Sequence, residues 1–252
     1  MKRIQFFEFG DQAWLPGAFR RGITEFLAAV SRWTRLYEPT AAVLADVLEA
    51  TGEKRVVALG AGSGGGILDI SPRLPTDAQL TLTDLVPDKT IRLAEPRAHY
   101  HAEPVNALNV PSSLPGVRVM YAAMHHLRPD QVKTLFENCV ENKQAIMIVE
   151  GTERTFVAVV GSLVFVPLAV LILTPFVKPF SFIRCFWTYV IPVFPLIAVF
   201  DGIVSCLRTY DENDLRKLTS GLVAFDWKFQ IAKGPFGQRV SVFTGRPPIQ
   251  NK

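Results

Sequence analysis

Between Arg55 and Glu150 the chain repeats one pattern, a short apolar run followed by a longer polar or helix-like stretch. The runs are RVVALG (55–60), QLTLTD (79–84), a short one near Val105, VRVMYAA (117–123) and AIMIVE (145–150). Such short apolar runs suit strands buried on both faces, and the separations leave room for crossover helices. The spacing predicts an α/β fold, a doubly wound and mostly parallel sheet. The intervening pieces fit. EPTAAVLADVLEATG (38–52) brings Val43, Leu44, Val47 and Leu48 together at helical spacing and places Gly52 where a helix ends. In RPDQVKTLFENCVEN (128–142), Pro129 suits a first turn, and Val132, Leu135, Phe136, Cys139 and Val140 form one apolar face. Further on, TYDENDLRKLTSGL (209–222) reads as a helix, and FDWKFQIA with QRVSVFTG as a hairpin across KGPFG.

The 252 residues suit one large domain or one domain with an elaboration. Apolar residues are 49% and charged ones 20%, and the apolar excess is local. From Glu153 to Asp201 only those two acids, Arg154, Lys178 and Arg184 are charged. The net charge of +4 fits contact with an anionic surface without requiring it. Basic residues are scattered and not interleaved with aromatics, which argues against nucleic acid as a partner. Cys139, Cys185 and Cys206 are odd in number and lack metal-ligand spacing, so no metal is expected and a reduced, cytoplasmic compartment is. MKRIQFFEFGDQAW starts basic, but Glu8 and Asp11 interrupt it before any long apolar region, unlike a secretory signal.

VVALGAGSGGGILDI places Gly60, Gly62 and Gly64 directly after the first strand. Glycine serves there because the chain turns sharply and its backbone must approach a ligand. Asp84 ends the next strand, about 20 residues on, where an acid can accept hydrogen bonds from ribose hydroxyls. With the antiparallel C-terminal hairpin, this combination resembles the class I S-adenosylmethionine-dependent methyltransferases of the small-molecule type. YAAMHHLRPDQ (121–131) is similar to the segment after their fourth strand. The resemblance runs from about Tyr37 to Glu150 and resumes over 209–246.

It implies a Rossmann-like methyltransferase sheet with an antiparallel last strand, a hydrophobic helical insertion and an N-terminal helical cap. The chain then reads as a single domain: cap 1–37, cofactor-binding core 38–152, insertion 153–208, and C-terminal helix with β-hairpin 209–252. It implies S-adenosylmethionine as cofactor. Gly60, Ala61, Gly62, Ser63 and Gly64 would face its methionine part, Asp84 its ribose and Leu85 its adenine. Asn106 and Ala107 would sit at the adenine edge, and Ala122 near the sulfonium. Tyr37 and FFEFGDQAW are candidates for closing over this pocket, with core packing as the competing reading. Two positions depart from the family pattern: Ala58 stands where an acid usually orders the loop, and Asn106 where an acid usually meets adenine.

Methyl transfer from a sulfonium is an in-line displacement that needs a base only when the acceptor must lose a proton. His125 and His126 are the first candidates, against a reading in which one caps the following helix and the other packs. Glu150, at the end of the fifth strand, either orients the acceptor or receives backbone hydrogen bonds. Near the end of the insertion, Asp201 and Arg208 read as an anchoring pair.

Residues 155–177 carry no charge and would form a helix of about 34 Å, long enough for a bilayer core. Pro167 predicts that this helix is kinked or divided. The second apolar run, 185–200, is short and contains Pro192 and Pro195. The fifth strand precedes the region and the last helix follows it, so a single crossing would split one sheet across a membrane. A greasy lid, a membrane-surface contact, a hairpin span, an apolar homodimer interface and a plain core insertion remain, and each favours a hydrophobic acceptor: a lipid, a quinone-like or terpenoid compound, or another natural-product intermediate. The rival functions are a membrane-associated, non-enzymatic binding protein on a degenerate form of the fold, which Ala58 favours, and a nicotinamide-dependent oxidoreductase, which the hairpin disfavours.

Overall fold

Seven strands form one sheet in the computed structural model, which describes residues 1–87 and 93–248. They are β1 (Arg55–Ala58), β2 (Gln79–Leu82), β3 (Ala98–Tyr100), β4 (Val117–Tyr121), β5 (Ile146–Glu150), β6 (Asp226–Lys233) and β7 (Arg239–Arg246). The spatial order is β3-β2-β1-β4-β5-β7-β6. All pairings from β3 across to β5 are parallel, whereas β7 runs antiparallel to both its neighbours. The order reverses between β1 and β4, which opens a crevice at the carboxyl ends of the strands. The helices are α1 (Gly17–Trp33), α2 (Thr40–Thr51), α3 (Ile67–Ile70), α4 (Pro129–Glu141), α5 (Phe156–Leu173), α6 (Phe182–Tyr189), α7 (Val193–Arg208) and α8 (Glu212–Thr219).

The chain divides into two units. One comprises 35–151 and 211–252, and therefore the whole sheet with α2, α3, α4 and α8. Its core is built from the short apolar runs: Val56, Leu80, Leu82, Val119, Met147 and Val149 are essentially shut off from solvent. Leu44, Val47 and Leu48 of α2 pack into the same cluster, and Gly52 ends α2 in the left-handed conformation at φ +66°. Pro129 opens α4, and Gln131 Oε1 accepts the Arg128 N–H at 2.8 Å. The hairpin joins at Gly234 and Gln238, whose N–H and carbonyl lie 2.8 Å apart.

The other unit joins residues 1–34 to 152–210, so the N-terminal segment and the apolar insertion pack together. Phe26 and Ala29 of α1 share a core with Val170, Val177 and Phe194. Asp201 accepts the N–H groups of Phe9 at 2.7 Å and Gly10 at 3.0 Å, while Arg208 pairs with Asp11 at 2.8 Å and Glu8 at 3.2 Å. The expected Asp–Arg anchor thus ties the insertion to FFEFGDQAW, with each side chain holding a different part of that segment. At the mouth of the insertion the Thr152 and Thr209 hydroxyls meet at 2.6 Å.

Three expectations need correction. The third strand lies at 98–100, not near Val105; Pro104 precedes Val105 and breaks strand geometry, while the Val105 N–H still bonds the Asp84 carbonyl at 2.8 Å. The helix of the N-terminal cap, α1, ends at Trp33, short of the cap boundary expected at Tyr37. Of the two outcomes expected at Pro167, division does not occur: α5 stays one 18-residue helix. The second apolar run does break, at 190–192, where α6 and α7 bend by 82°.

Candidate functional site

The loop after β1 starts on a buried strand end. The Ala58 carbonyl accepts both the N–H and the hydroxyl of Thr83, each at 2.8 Å, which couples the ends of β1 and β2. From there the backbone turns through positive φ at Gly60 (+59°), Gly62 (+51°), Gly64 (+86°) and Gly66 (+30°). These glycines serve two different ends. A Cβ on Gly64 would lie 2.5 Å from Leu68 and 2.7 Å from Leu82, and one on Gly66 would lie 2.3 Å from the Tyr121 ring. Both are required by packing. Around Gly62 no atom lies within 4 Å of such a Cβ, and Gly62 and Ser63 are exposed, so this part of the loop presents bare backbone outward.

Asp84, just beyond β2, pins that exposed part. Its Oδ2 accepts the Gly62 N–H at 2.9 Å and its Oδ1 accepts the Val86 N–H at 3.0 Å. A carboxylate has about four lone-pair positions, so two donors leave capacity for ribose hydroxyls. Tyr100 of β3 donates its hydroxyl to the Gly62 carbonyl at 3.1 Å. Sequence reasoning missed Tyr100, because AHY carries no apolar alternation that would mark a strand. Leu85 is 61% exposed and Val86 79% exposed beside Asp84, an unusual state for two consecutive aliphatic residues at a sheet edge.

Asn106 is exposed, and its side-chain carbonyl accepts the Leu108 N–H at 2.9 Å, forming a local turn that holds Ala107 in the segment after Val105. Ala122 sits at the carboxyl end of β4 at φ +47° and is exposed; a larger or branched residue would suffer more in that conformation. Ala123 faces Gly60, with its methyl 3.8 Å from the position of a Cβ there. Tyr37 packs inward: it is buried, edge-on to Tyr121 at 5.2 Å, and burial, reinforced by Glu150 and Asp69, pushes its phenol pKa upward. Thr40 donates to the Tyr37 carbonyl at 2.7 Å and lies 3.0 Å from the Tyr121 hydroxyl.

His125 and Glu150 come together at the ends of β4 and β5. Glu150 Oε1 accepts the His125 backbone N–H at 3.0 Å, and Oε2 lies 2.8 Å from His125 Nδ1. Both residues are buried, and His126 packs its ring at 4.2 Å from that of His125. Of the two roles weighed for Glu150, the geometry gives it the backbone bond and adds the imidazole. The other unit contains a cavity of about 560 Å³ lined by apolar residues, among them Phe9, Trp14, Phe19, Trp187 and Phe200.

Neither protein-family models nor curated protein sequences match the chain. Solved structures do. The plantazolicin methyltransferase BpumL in complex with SAH aligns at a TM-score of 0.60 and 12% identity, over 95% of this chain and 93% of that one. TnmH aligns at 0.51 and 15% identity, over 93% of this chain and 58% of its own. An O-methyltransferase family protein from Burkholderia thailandensis aligns at 0.50 and 11% identity, over 96% and 62%. The fold is that of the class I methyltransferases. Within this methyltransferase fold, the glycine loop after β1 and Ala122 after β4 flank the point where the strand order reverses, and Asp84 and Asn106 follow β2 and β3 on the β1 side of it.

Proposed function

We propose that the chain is an S-adenosylmethionine-dependent methyltransferase acting on a hydrophobic small molecule. One observation carries the reading: a glycine loop with an open backbone is pinned by Asp84 beside the switch point of this sheet. The residues present fit the cofactor. Gly60 to Ser63 offer the methionine part an uncovered backbone, Asp84 keeps acceptor capacity for the ribose, and Leu85 and Val86 offer exposed apolar surface to an adenine ring. Asn106 retains a side-chain amide donor and a second carbonyl lone pair for the adenine edge. Ala58 favoured the non-enzymatic alternative, but here Thr83 and Asp84 order the loop without a carboxylate at that position.

When bound, S-adenosylmethionine supplies a methyl group already activated by its sulfonium. The protein's share is alignment, exclusion of water and, for an acceptor with an acidic proton, its removal. His125 is assigned that removal. With Glu150 Oε2 against Nδ1, the ring proton sits on Nδ1 and the basic lone pair on Nε2, which takes the proton from the acceptor. Glu150 is a positioning residue, because it acts through His125. The charge-free stretch 155–177 of the insertion is what supports an acceptor of low polarity.

Calorimetric titration with S-adenosylhomocysteine tests the reading. Saturable binding is expected, and Asp84→Ala should weaken it about 10- to 100-fold, the loss of one or two charge-assisted hydrogen bonds. A folded protein that binds no S-adenosylhomocysteine would overturn the proposal.

A further inference from the structure

We propose that the outer face of α5 and α6 is immersed in a lipid bilayer, which the insertion enters and leaves from the same side. The segment Phe156–Phe176 has a mean hydropathy of 2.8, yet only 6% of its apolar window is buried. A core helix of a soluble protein shares the hydropathy but not the exposure. Every exposed side chain on α5 is apolar; Phe156, Val157, Leu163, Phe165, Leu168 and Ile172 alone sweep about 200° of its circumference at 3.6 residues per turn. The helix is about 27 Å long at 1.5 Å per residue, close to the hydrocarbon thickness of a membrane.

Several polar groups of the insertion are satisfied internally, although the buried Thr174 Oγ1 and Arg184 Nε have no hydrogen-bond partner among the described residues. Tyr189 is 48% exposed, yet its hydroxyl turns back to donate to the Leu171 carbonyl at 2.5 Å. Thr188 donates to the Arg184 carbonyl at 2.8 Å, and Ser162 meets Cys206 Sγ at 3.5 Å. Arg184 is buried and turns its two terminal guanidinium nitrogens to Glu25 and to the carbonyls of Val177 and Pro179. In water such groups gain by facing out; in hydrocarbon they must be satisfied internally. Lys178 is the one exposed charge between 155 and 200, at the turn between α5 and α6. The Thr152–Thr209 contact brings the two ends of the insertion together, which fixes entry and exit on one side.

A second copy of the chain fits less well. One partner covers one side of a helix, not an arc of this width, and protein interfaces carry a polar rim that exposed α5 lacks.

The test is flotation of the full-length protein with phosphatidylcholine vesicles. The wild-type chain should rise with the vesicles, and Phe165→Glu/Leu168→Glu should reduce the floated fraction at least tenfold while keeping the same circular dichroism. Leu168→Trp should add emission that dibrominated phosphatidylcholine quenches. Wild-type protein that remains in the dense fractions, added emission from Leu168→Trp that stays unquenched, or a double variant that floats as before overturns the proposal. So does light scattering that shows a vesicle-indifferent dimer converted by the double variant to a monomer. Flotation does not depend on cofactor, so a chain that floats but ignores S-adenosylhomocysteine would overturn the proposed function and leave this inference standing.

Discussion

Gly62 and Gly66 have the same residue type and the same sign of φ, but substitution should separate them. A Cβ on Gly66 meets the Tyr121 ring at 2.3 Å, so Gly66→Ala combines overpacking with backbone strain and should cost at least about 3 kcal/mol of stability. Gly62→Ala meets nothing within 4 Å and carries only the left-handed penalty, about 1 kcal/mol. Its larger effect should be on S-adenosylhomocysteine affinity, because the methyl group would stand where the backbone is bare. Thermal melts and titration of both variants check the split. Glu150 makes a second residue-level case. Glu150→Gln puts an amide donor opposite His125 Nδ1 and reverses the ring's proton preference. For an acceptor that must lose a proton, kcat should fall about 10- to 100-fold with S-adenosylhomocysteine affinity unchanged; a parallel loss of both would mean that Glu150 only holds the fold.

Elements with strong internal pattern were legible in the sequence, and those held by context were not. β1, β4 and β5 are buried runs of valine, isoleucine and methionine, and α4 shows its apolar face in its spacing, so each fell where expected. β3 is only three residues, paired on one side, and its neighbourhood is organised by polar contacts. Glu95 receives Arg97 and Ser71 there, while Arg97 also reaches the carbonyls of Ser71 and Pro75. No hydrophobic periodicity announces such a network. It carries a pH signature: the Arg97 hydrogen bond, with further backbone and Ser71 bonds, lowers the Glu95 pKa to about 2. A carboxyl lowered in the folded state stabilises above its ordinary value and loses that contribution as pH falls toward the folded one. Melting temperature should therefore decline between about pH 4.5 and 2, and Glu95→Gln should flatten that part of the decline. In the site, the glycines, Asp84 and the histidines were visible as motifs, whereas Tyr100 and Thr83 act through strand pairing that sequence spacing does not reveal. The continuity of α5 through Pro167 was likewise hidden. Proline removes one N–H, but packing of α5 against α7 through Val166 and Ser162 beside Gly202 keeps the helix whole.

At the scale of the whole molecule, the chain leaves the sheet after β5 and returns to it before α8, and the intervening residues fold with the N-terminal segment into a unit of their own. Two stretches distant in sequence thus form one body, and this grouping comes from tertiary packing and is invisible to composition. Where the chain departs and where it comes back, Thr152 and Thr209 touch at 2.6 Å. A shortened protein that begins at Arg35 and carries a short glycine linker in place of 153–208 should therefore still bind S-adenosylhomocysteine within about tenfold of the full chain, since a loop of a few residues closes so small a gap at little entropic cost. Failure of the shortened chain to fold would mean that the sheet depends on what was removed. The same proximity makes this junction a grafting point. A segment of different length and chemistry can be joined at that point while the strands keep their places, provided that residues 1–34, which share the insertion's core, are exchanged with it.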